Sequence, residues 1–226
     1  MTYADHTLIL IGQTALLVPP GIEVQQREDA LDSLHYCQLL ANKRAGSCFD
    51  HPDAWAVAYR KAFESLDWIR FVSAHDRITL GPGAAGKERT PLLNWLEQRT
   101  INIDTALATL SQALSGVPES LDHLLRFAVR NEADMGELHI EFGLLGAGPV
   151  LDLCSVSLRR DHPITREALA SVAQLAQLQG ELEVRALSLN LSSQRFASRR
   201  CDLHTLILEK EREKPRRLAL GEMTHE

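Results

Sequence analysis

Glu137, His139 and Glu141 are the residues whose types and spacing come nearest to an acid–base site. Carboxyl and imidazole groups are the usual proton donors and acceptors of enzymes. They alternate with apolar residues such as Leu138 and Ile140, so all three are predicted to project from one face of a β-strand. The same alternation is typical of a strand with a solvated face, and we interpret it in that way. Several histidines and acids enclosed together away from water would instead favour an enzyme.

A second pattern, in the segment 81–88, has the glycine and lysine spacing of a phosphate-binding loop. The spacing is set by Gly81, Gly86 and Lys87. Glu88, however, occupies the position of the serine or threonine that coordinates magnesium, and its carboxylate would repel phosphates. We therefore interpret the loop from Gly81 to Lys87 as a surface loop. An enzyme or nucleotide-binding protein that uses this loop is an alternative hypothesis.

Metal and cofactor chemistry have little support in the sequence. A structural zinc site needs four ligands, and the best candidate pair, Cys201 with His204, supplies two. The cysteines form no CxxC pair, which argues against a redox motif and fits a reducing compartment. They are Cys37, Cys48, Cys154 and Cys201. The chain also lacks a GxSxG elbow, so the sequence predicts no catalytic residue, no metal and no cofactor.

A basic turn near residue 195 is the candidate interaction surface. Arg195, Arg199 and Arg200 surround Phe196, which predicts an amphipathic turn between two strands. Such a turn could contact an acidic protein or an anionic lipid surface. A solvated turn without any partner explains the same residues.

The composition is that of an ordinary globular protein. The chain has 226 residues, 45% of them hydrophobic, and a formal net charge of −6, which gives no long-range attraction to nucleic acid. The apolar stretch 7–18 is too short to span a membrane and is preceded by Asp5 and His6 rather than by basic residues. We predict a buried strand there, and a cytoplasmic protein or one exported without a signal peptide.

Helical spacing dominates the N-terminal half. Apolar residues from Val24 to Ala41 indicate one helix, and Pro52 with Asp53 begins a second whose buried face runs from Trp55 to Ile69. A third helical region is predicted to start at Pro91, after these two helices. The sequence of segment 121–130 is compatible with either a helix or a strand.

The C-terminal half has the period of strands. One strand is predicted to end near Gly146, and the next to end near Arg160. A helix follows Pro163, and another strand contains Leu182. Its apolar alternation slips at Ala186, which predicts a bulge. We predict a last strand at 203–208, followed by a charged tail.

One stretch of the sequence has a known counterpart. Its residues are Leu39, Leu40, Ala41, Asn42, Lys43 and Arg44, followed by Trp55, Tyr59, Leu66 and Trp68. The pattern resembles a set of small uncharacterised bacterial proteins in which paired helices precede an antiparallel sheet. It covers about a fifth of the chain, and it has an aspartate, Asp67, where those proteins have a glycine. The resemblance implies helices before strands and a bacterial origin, and it implies no function.

Together these patterns predict an α+β protein in which N-terminal helices pack on a C-terminal, mainly antiparallel sheet with one inserted helix. We predict a single domain, 1–226, with a helical part at about 22–130, a sheet part at about 131–210 and a charged tail at 211–226.

Our first functional hypothesis is a non-catalytic interaction or assembly protein that binds another protein or itself. The sheet edge or the charged tail would provide the contact. A membrane-active component of a toxin system, formed by rearranged hairpins, is the second hypothesis, and an enzyme is the third.

Overall fold

The computed structural model of this chain describes residues 7–80, 118–170 and 180–220. Its elements in chain order are β1 (Thr7–Ile11), β2 (Thr14–Val18), α1 (Val24–Ala45), α2 (Pro52–Ser65), β3 (Trp68–Leu80), α3 (Pro118–Ala128), β4 (Val129–Glu132), β5 (Met135–Gly146), β6 (Val150–Arg160), α4 (Arg166–Ala170), β7 (Gly180–Leu191), α5 (Ser193–Phe196), α6 (Arg200–Glu213) and β8 (Arg217–Leu220). The predicted loop with Gly81 and Lys87 and the predicted third helix at Pro91 lie outside the described residues.

The apolar N-terminal stretch forms a hairpin rather than the single buried strand we predicted. β1 and β2 pair in antiparallel register, with Ile11 opposite Thr14. Gly12 opens the two-residue turn with φ +53°, a conformation that glycine adopts without steric cost. All five residues of β2 are buried, because the hairpin lies inside the sheet.

Helix α1 begins and ends where the sequence predicts, and helix α2 begins where it predicts. Lys43 and Arg44 lie in the last turn of α1, where they interact favourably with the helix dipole, and Gly46 ends the helix with φ +79°. Pro52 starts α2, and Asp53 lies in its first turn. Both helices are therefore set by local sequence signals.

The strands form one mixed eight-stranded sheet. Its order is β3-β7-β6-β5-β2-β1-β8, and β4 pairs with β5 in addition. β2 and β5 run parallel, with Thr14 opposite Glu141. The other pairs are antiparallel.

Each face of the sheet has its own hydrophobic core. On one face, Ile9 and Leu16 pack with residues of α1, α2 and α6. On the other face, Leu10 and Ile140 pack with α3 and with Leu169 of α4. Because successive strand residues point to opposite faces, the strands supply apolar residues to both cores.

The predicted fold class is therefore wrong. We predicted N-terminal helices on one face of a C-terminal, mainly antiparallel sheet with one inserted helix. The sheet instead includes the N-terminal hairpin through a parallel pairing, and helices cover both of its faces. The hairpin joins the sheet because β2, which is apolar except for Thr14, is buried on both faces.

Three local predictions are also corrected. The predicted strand at 203–208 is part of helix α6, in which Leu203 and Ile207 are buried one turn apart. The buried face predicted for the second helix extends to Ile69, but strand β3 already begins at Trp68. The predicted bulge at Ala186 is absent from the continuous pairing of β6 with β7, and the register shifts in β3 between Arg70 and Val72 instead.

Candidate functional site

Strand β5 places His139 and Glu141 on the sheet face that helix α2 covers. Opposite them in β6 lie Ser157 and Ser155. The prediction that the polar residues of β5 share one face is confirmed. The prediction that this face is solvated is wrong for these two residues, since His139 is 7% and Glu141 3% exposed. Burial of two ionisable groups under a helix makes this part of the sheet the candidate functional site.

Glu141 is held by three hydroxyl groups. Thr14 and Tyr59 each donate a 2.8 Å hydrogen bond to its Oε1, and Ser155 donates one of 2.9 Å to Oε2. Burial raises the pKa of the Glu141 carboxyl, and the three hydrogen bonds act in the opposite direction. Within the described ranges, no basic side chain forms an ion pair with it. The hydroxyls therefore provide the polar contacts that a buried carboxylate requires.

Gln38 of helix α1 extends this network to the N-terminal hairpin. Its Nε2 donates to the Ile11 carbonyl at 2.9 Å and to Thr14 Oγ1 at 2.8 Å. A Cβ atom at Gly12 would lie 2.2 Å from Gln38 Oε1. The glycine thus allows both the hairpin turn and the close approach of the Gln38 amide, which orients Thr14 toward Glu141.

His139 is a buried, neutral imidazole with one nitrogen unused. Nδ1 lies 2.7 Å from Ser157 Oγ, while Nε2 has no hydrogen-bond partner in the described part of the chain. Burial lowers the pKa of His139 to about 4, and Arg185 contributes to the decrease. The Trp55 ring meets the imidazole edge-on, with centroids 5.4 Å apart. A neutral imidazole at neutral pH can accept or donate a proton at the unused nitrogen.

Two cavities meet at this histidine. One is an open cleft of about 570 Å³ whose lining includes Cys48, Glu137, His139 and Ser157. The other is a narrower pocket of about 130 Å³, lined in part by Tyr59, His139, Glu141 and Ser157. His139 and Ser157 belong to both linings, so a molecule in either cavity would lie beside them.

Acidic groups predominate at the wall of the larger cleft. Asp50, Glu137, Glu181 and Glu183 line it, together with the basic residues Arg77 and Arg159. Outside the cleft, Arg130 pairs with Asp50 and at 2.5 Å with Glu137. Arg185 pairs at 2.5 Å with Glu183. These ion pairs hold the carboxylates in place and offset much of their negative charge.

Thr14, Tyr59, Ser155 and Ser157 are site residues that we did not predict. The two serines had a detectable signal, because they interrupt the apolar run of β6 at alternate positions, as Glu141 and His139 do in β5. Tyr59 belongs to the predicted buried face of the second helix, and its ring does lie in the core. Its hydroxyl contact depends on docking of α2 against β5, which no local pattern encodes.

The predicted basic turn lies in α5 and at the start of α6 rather than between two strands. Phe196 is fully buried, and Arg200 makes two 2.8 Å hydrogen bonds to the Asp29 carboxylate. Arg199 donates to the Ser65 carbonyl, and Arg195 is exposed. The structure does not bring these residues near the His139 site. Their role as an interaction surface stays a prediction.

Within residues 7–80, 118–170 and 180–220, no group of three or more potential ligands is arranged to hold a metal ion. Cys201 is exposed, and the other three cysteines are buried. None of the helices in these ranges is long and apolar enough to cross a bilayer.

Comparisons with known proteins give little further information. No protein-family model matches the chain, and a search of curated proteins finds no significant match. Among solved structures, the chain is similar to the Evf virulence factor, with 12% sequence identity and a TM-score of 0.39. The similarity covers 89% of this chain and 82% of that one. A similarity this distant has no bearing on function.

Proposed function

We propose that the protein binds a small polar molecule in the cleft beside His139 and that His139 and Ser157 act on it as an acid–base and nucleophile pair. The observation that supports the proposal is the buried His139 imidazole, which bonds Ser157 through Nδ1 and leaves Nε2 without a partner among the described residues. A buried polar atom without a partner costs about 1–3 kcal/mol, so its presence favours a functional reason.

The distance between these two side chains suits proton transfer. A serine hydroxyl 2.7 Å from an imidazole nitrogen can pass its proton to that nitrogen while its oxygen attacks the carbonyl carbon of an ester. The C–O bond of the ester then breaks, and the alcohol leaves with the proton that the imidazole held. The low pKa of His139 keeps the imidazole neutral, which is the form that accepts the proton. Because Nδ1 accepts from Ser157, the neutral ring carries its hydrogen on Nε2, which would donate to a hydroxyl or carbonyl oxygen of the ligand.

Glu141 lies beside the His139–Ser157 pair and stabilises the elements around it. It follows His139 by two residues on the same face of β5, and its hydrogen bonds tie β2, β6 and α2 together beneath the narrower pocket. Since it lines that pocket, its charge favours an amine rather than an acid there. We therefore expect the substrate to be an ester that also carries an amine or hydroxyl group.

Labelling with a fluorophosphonate tests the nucleophile. We expect wild-type protein to be modified on Ser157, as detected by mass spectrometry of the peptide that contains it. Ser157→Ala and His139→Gln should abolish the modification. Ser120→Ala is the control, because Ser120 is buried and does not line the cleft. Modification of another serine with Ser157 untouched would contradict the nucleophilic role.

Ligand-detected NMR with a library of small amines and alcohols tests binding separately. Compounds that bind in the cleft should lose their signal with His139→Gln and keep it with His35→Gln. His35 is a buried, neutral histidine of α1 and does not line the cleft. If no compound distinguishes the two variants, the cleft is not the binding site.

Self-association through strand β3 is a second candidate function, favoured by exposed apolar residues at the sheet edge. In the sheet that residues 7–80, 118–170 and 180–220 form, β3 is a terminal strand. Ile69 and Phe71 are each 58% exposed, and Val72 is 40% exposed. Such an edge offers backbone groups and apolar area to another strand. A second copy of this chain, with its own β3, is the partner we propose.

Light scattering at increasing protein concentration tests this candidate. The wild-type chain should form dimers, and Phe71→Glu should shift it to monomers without loss of secondary structure. Val57→Glu is the control, since Val57 of α2 is also exposed, at 40%. A wild-type chain that remains monomeric at high concentration would refute self-association.

A further inference from the structure

We propose that a separate cavity between the loop after α1 and the end of α6 binds the phosphate group of a small molecule. The cavity has a volume of about 420 Å³ and is lined by Arg126, Lys214 and Arg216, with no carboxylate among its lining residues. Its other lining residues are Gln13, Asn42, Gly46, Ser47, Cys48, Phe49 and Phe127. Three cationic side chains around one cavity predict an anionic occupant.

The aromatic ring of Phe127 brings two of these cations together. The guanidinium carbon of Arg216 lies 4.8 Å from the ring centroid and that of Arg126 lies 5.1 Å from it. Guanidinium groups are attracted to aromatic faces but repel each other. An anion in the cavity that both side chains line would offset this repulsion, and it could accept hydrogen bonds from both.

Arg216 has unused hydrogen-bonding capacity. Its Nε is buried and has no partner among residues 7–80, 118–170 and 180–220. Burial lowers the pKa of its guanidinium, and nearby Arg126 adds to the decrease. The side chain is thus a partly desolvated cation whose charge is not matched by an ion pair with any described carboxylate.

Glu211, the carboxylate whose charge acts on Arg216, is already engaged by backbone groups. Its Oε2 accepts from the backbone nitrogens of Arg216 at 3.1 Å and Arg217 at 3.3 Å, and its Oε1 lies 3.0 Å from His35 Nδ1. Glu211 favours the charged form of Arg216 but lies outside the cavity lining. The side chains of Arg126, Lys214 and Arg216 therefore remain available to a ligand.

The geometry favours a phosphate group over a carboxylate. Guanidinium forks match the tetrahedral oxygens of phosphate in pairs, and a third cation suits the second negative charge that phosphate carries. Phe49 and Phe127 add apolar walls to the cavity. A phosphate ester with an aromatic or apolar body should then bind more tightly than inorganic phosphate.

Isothermal titration calorimetry with inorganic phosphate and with a nucleoside monophosphate tests the proposal. Sodium chloride keeps the ionic strength constant, because salt screens such contacts. We expect both probes to bind wild-type protein, with a Kd for phosphate in the range of about 0.1–5 mM. Tighter binding of the monophosphate would identify the ester as the ligand class, and equal binding would identify free phosphate.

Charge-removing variants locate the site. Arg216→Gln and Lys214→Gln should each weaken phosphate binding by about tenfold, which corresponds to about 1.4 kcal/mol. Lys214 is exposed, so its variant should fold normally even if Arg216→Gln is destabilised. Lys61→Gln, an equal charge change at an exposed position of α2, should bind as wild type does. Absence of binding by both probes, or equal binding by all four proteins, would overturn the proposal.

Discussion

The hydroxyl of Tyr59 donates a 2.8 Å hydrogen bond to Glu141, which lies 82 residues later in the chain. This contact joins helix α2 to strand β5 at the candidate site. The position of α2 and the position of the buried carboxylate therefore depend on each other.

We expect Tyr59→Phe to lower the free energy of unfolding by about 1.5–3 kcal/mol, because it removes a hydrogen bond to a buried carboxylate. Chemical denaturation measures the change. Combination with Glu141→Gln should show strong non-additivity, since both variants affect the same contact. Tyr36→Phe, at a half-buried tyrosine of α1, is the control and should change stability by less than about 0.5 kcal/mol. Additive effects would show that the contact is energetically unimportant.

Stability should decrease as the pH falls from about 6.5 to about 4. Burial lowers the pKa of His139 to about 4 and that of His35 to about 3, both from 6.5. The unfolded chain then binds protons over this range that the folded chain excludes, so the stabilisation present above pH 6.5 is lost on acidification. The raised pKa of Glu141 acts in the opposite direction, because the folded state takes up that proton first.

His139→Gln should reduce this pH dependence. Each pKa lowered by burial corresponds to at most a few kcal/mol across the range, so removal of one such group should flatten the curve measurably. Urea denaturation at about pH 7.5, 6 and 5 measures it. Curves of equal slope for wild type and variant would refute the depressed pKa of His139.

Gly12→Ala should destabilise the protein more than Gly21→Ala. Both glycines have positive φ, at +53° and +79°, so both variants introduce backbone strain of about 1 kcal/mol. A Cβ at Gly12 would also meet Gln38 Oε1 at 2.2 Å, whereas a Cβ at Gly21 meets no atom within 4 Å. Thermal unfolding of both variants measures the difference. Equal shifts in Tm would show that the Gln38 side chain moves aside freely.

Arg200→Ala should cost about 1–2 kcal/mol of stability, since it leaves the largely buried carboxylate of Asp29 without its bidentate partner. Arg195→Ala, at an exposed neighbour, should be within about 0.5 kcal/mol of wild type. Denaturation curves compare the two. A neutral Arg200→Ala would mean that Arg200 is available to an external partner.

The sequence predicted those parts of the site that depend on local periodicity. Alternation in β5 correctly placed His139 and Glu141 on one face, because strand geometry alone fixes that relationship. Their burial depends on α2, which contacts them through Trp55 and Tyr59. No spacing within either element encodes that docking, so the solvated interpretation was equally consistent with the sequence.

The fold was mispredicted where one pattern fits two structures. The segment 203–208 has enough apolar residues for a strand, yet Leu203 and Ile207 are one helical turn apart and pack as part of α6. Gly12 between two apolar runs was a hairpin signal, but nothing local indicates that β2 runs parallel to β5. That pairing is a consequence of tertiary packing.

The position of β1 between β2 and β8 determines when the sheet can be completed. Leu8 pairs with Leu17 in β2 and with Leu220 in β8. The pairing of β1 on both of its sides is therefore complete only when β8, the last strand described, has formed. Contacts between such distant segments slow folding, because closing the chain loses entropy before the pairing is gained. During synthesis the outer edge of β1 therefore lacks its β8 neighbour until the ribosome has passed Leu220, and an unpaired strand edge is prone to aggregation in that interval.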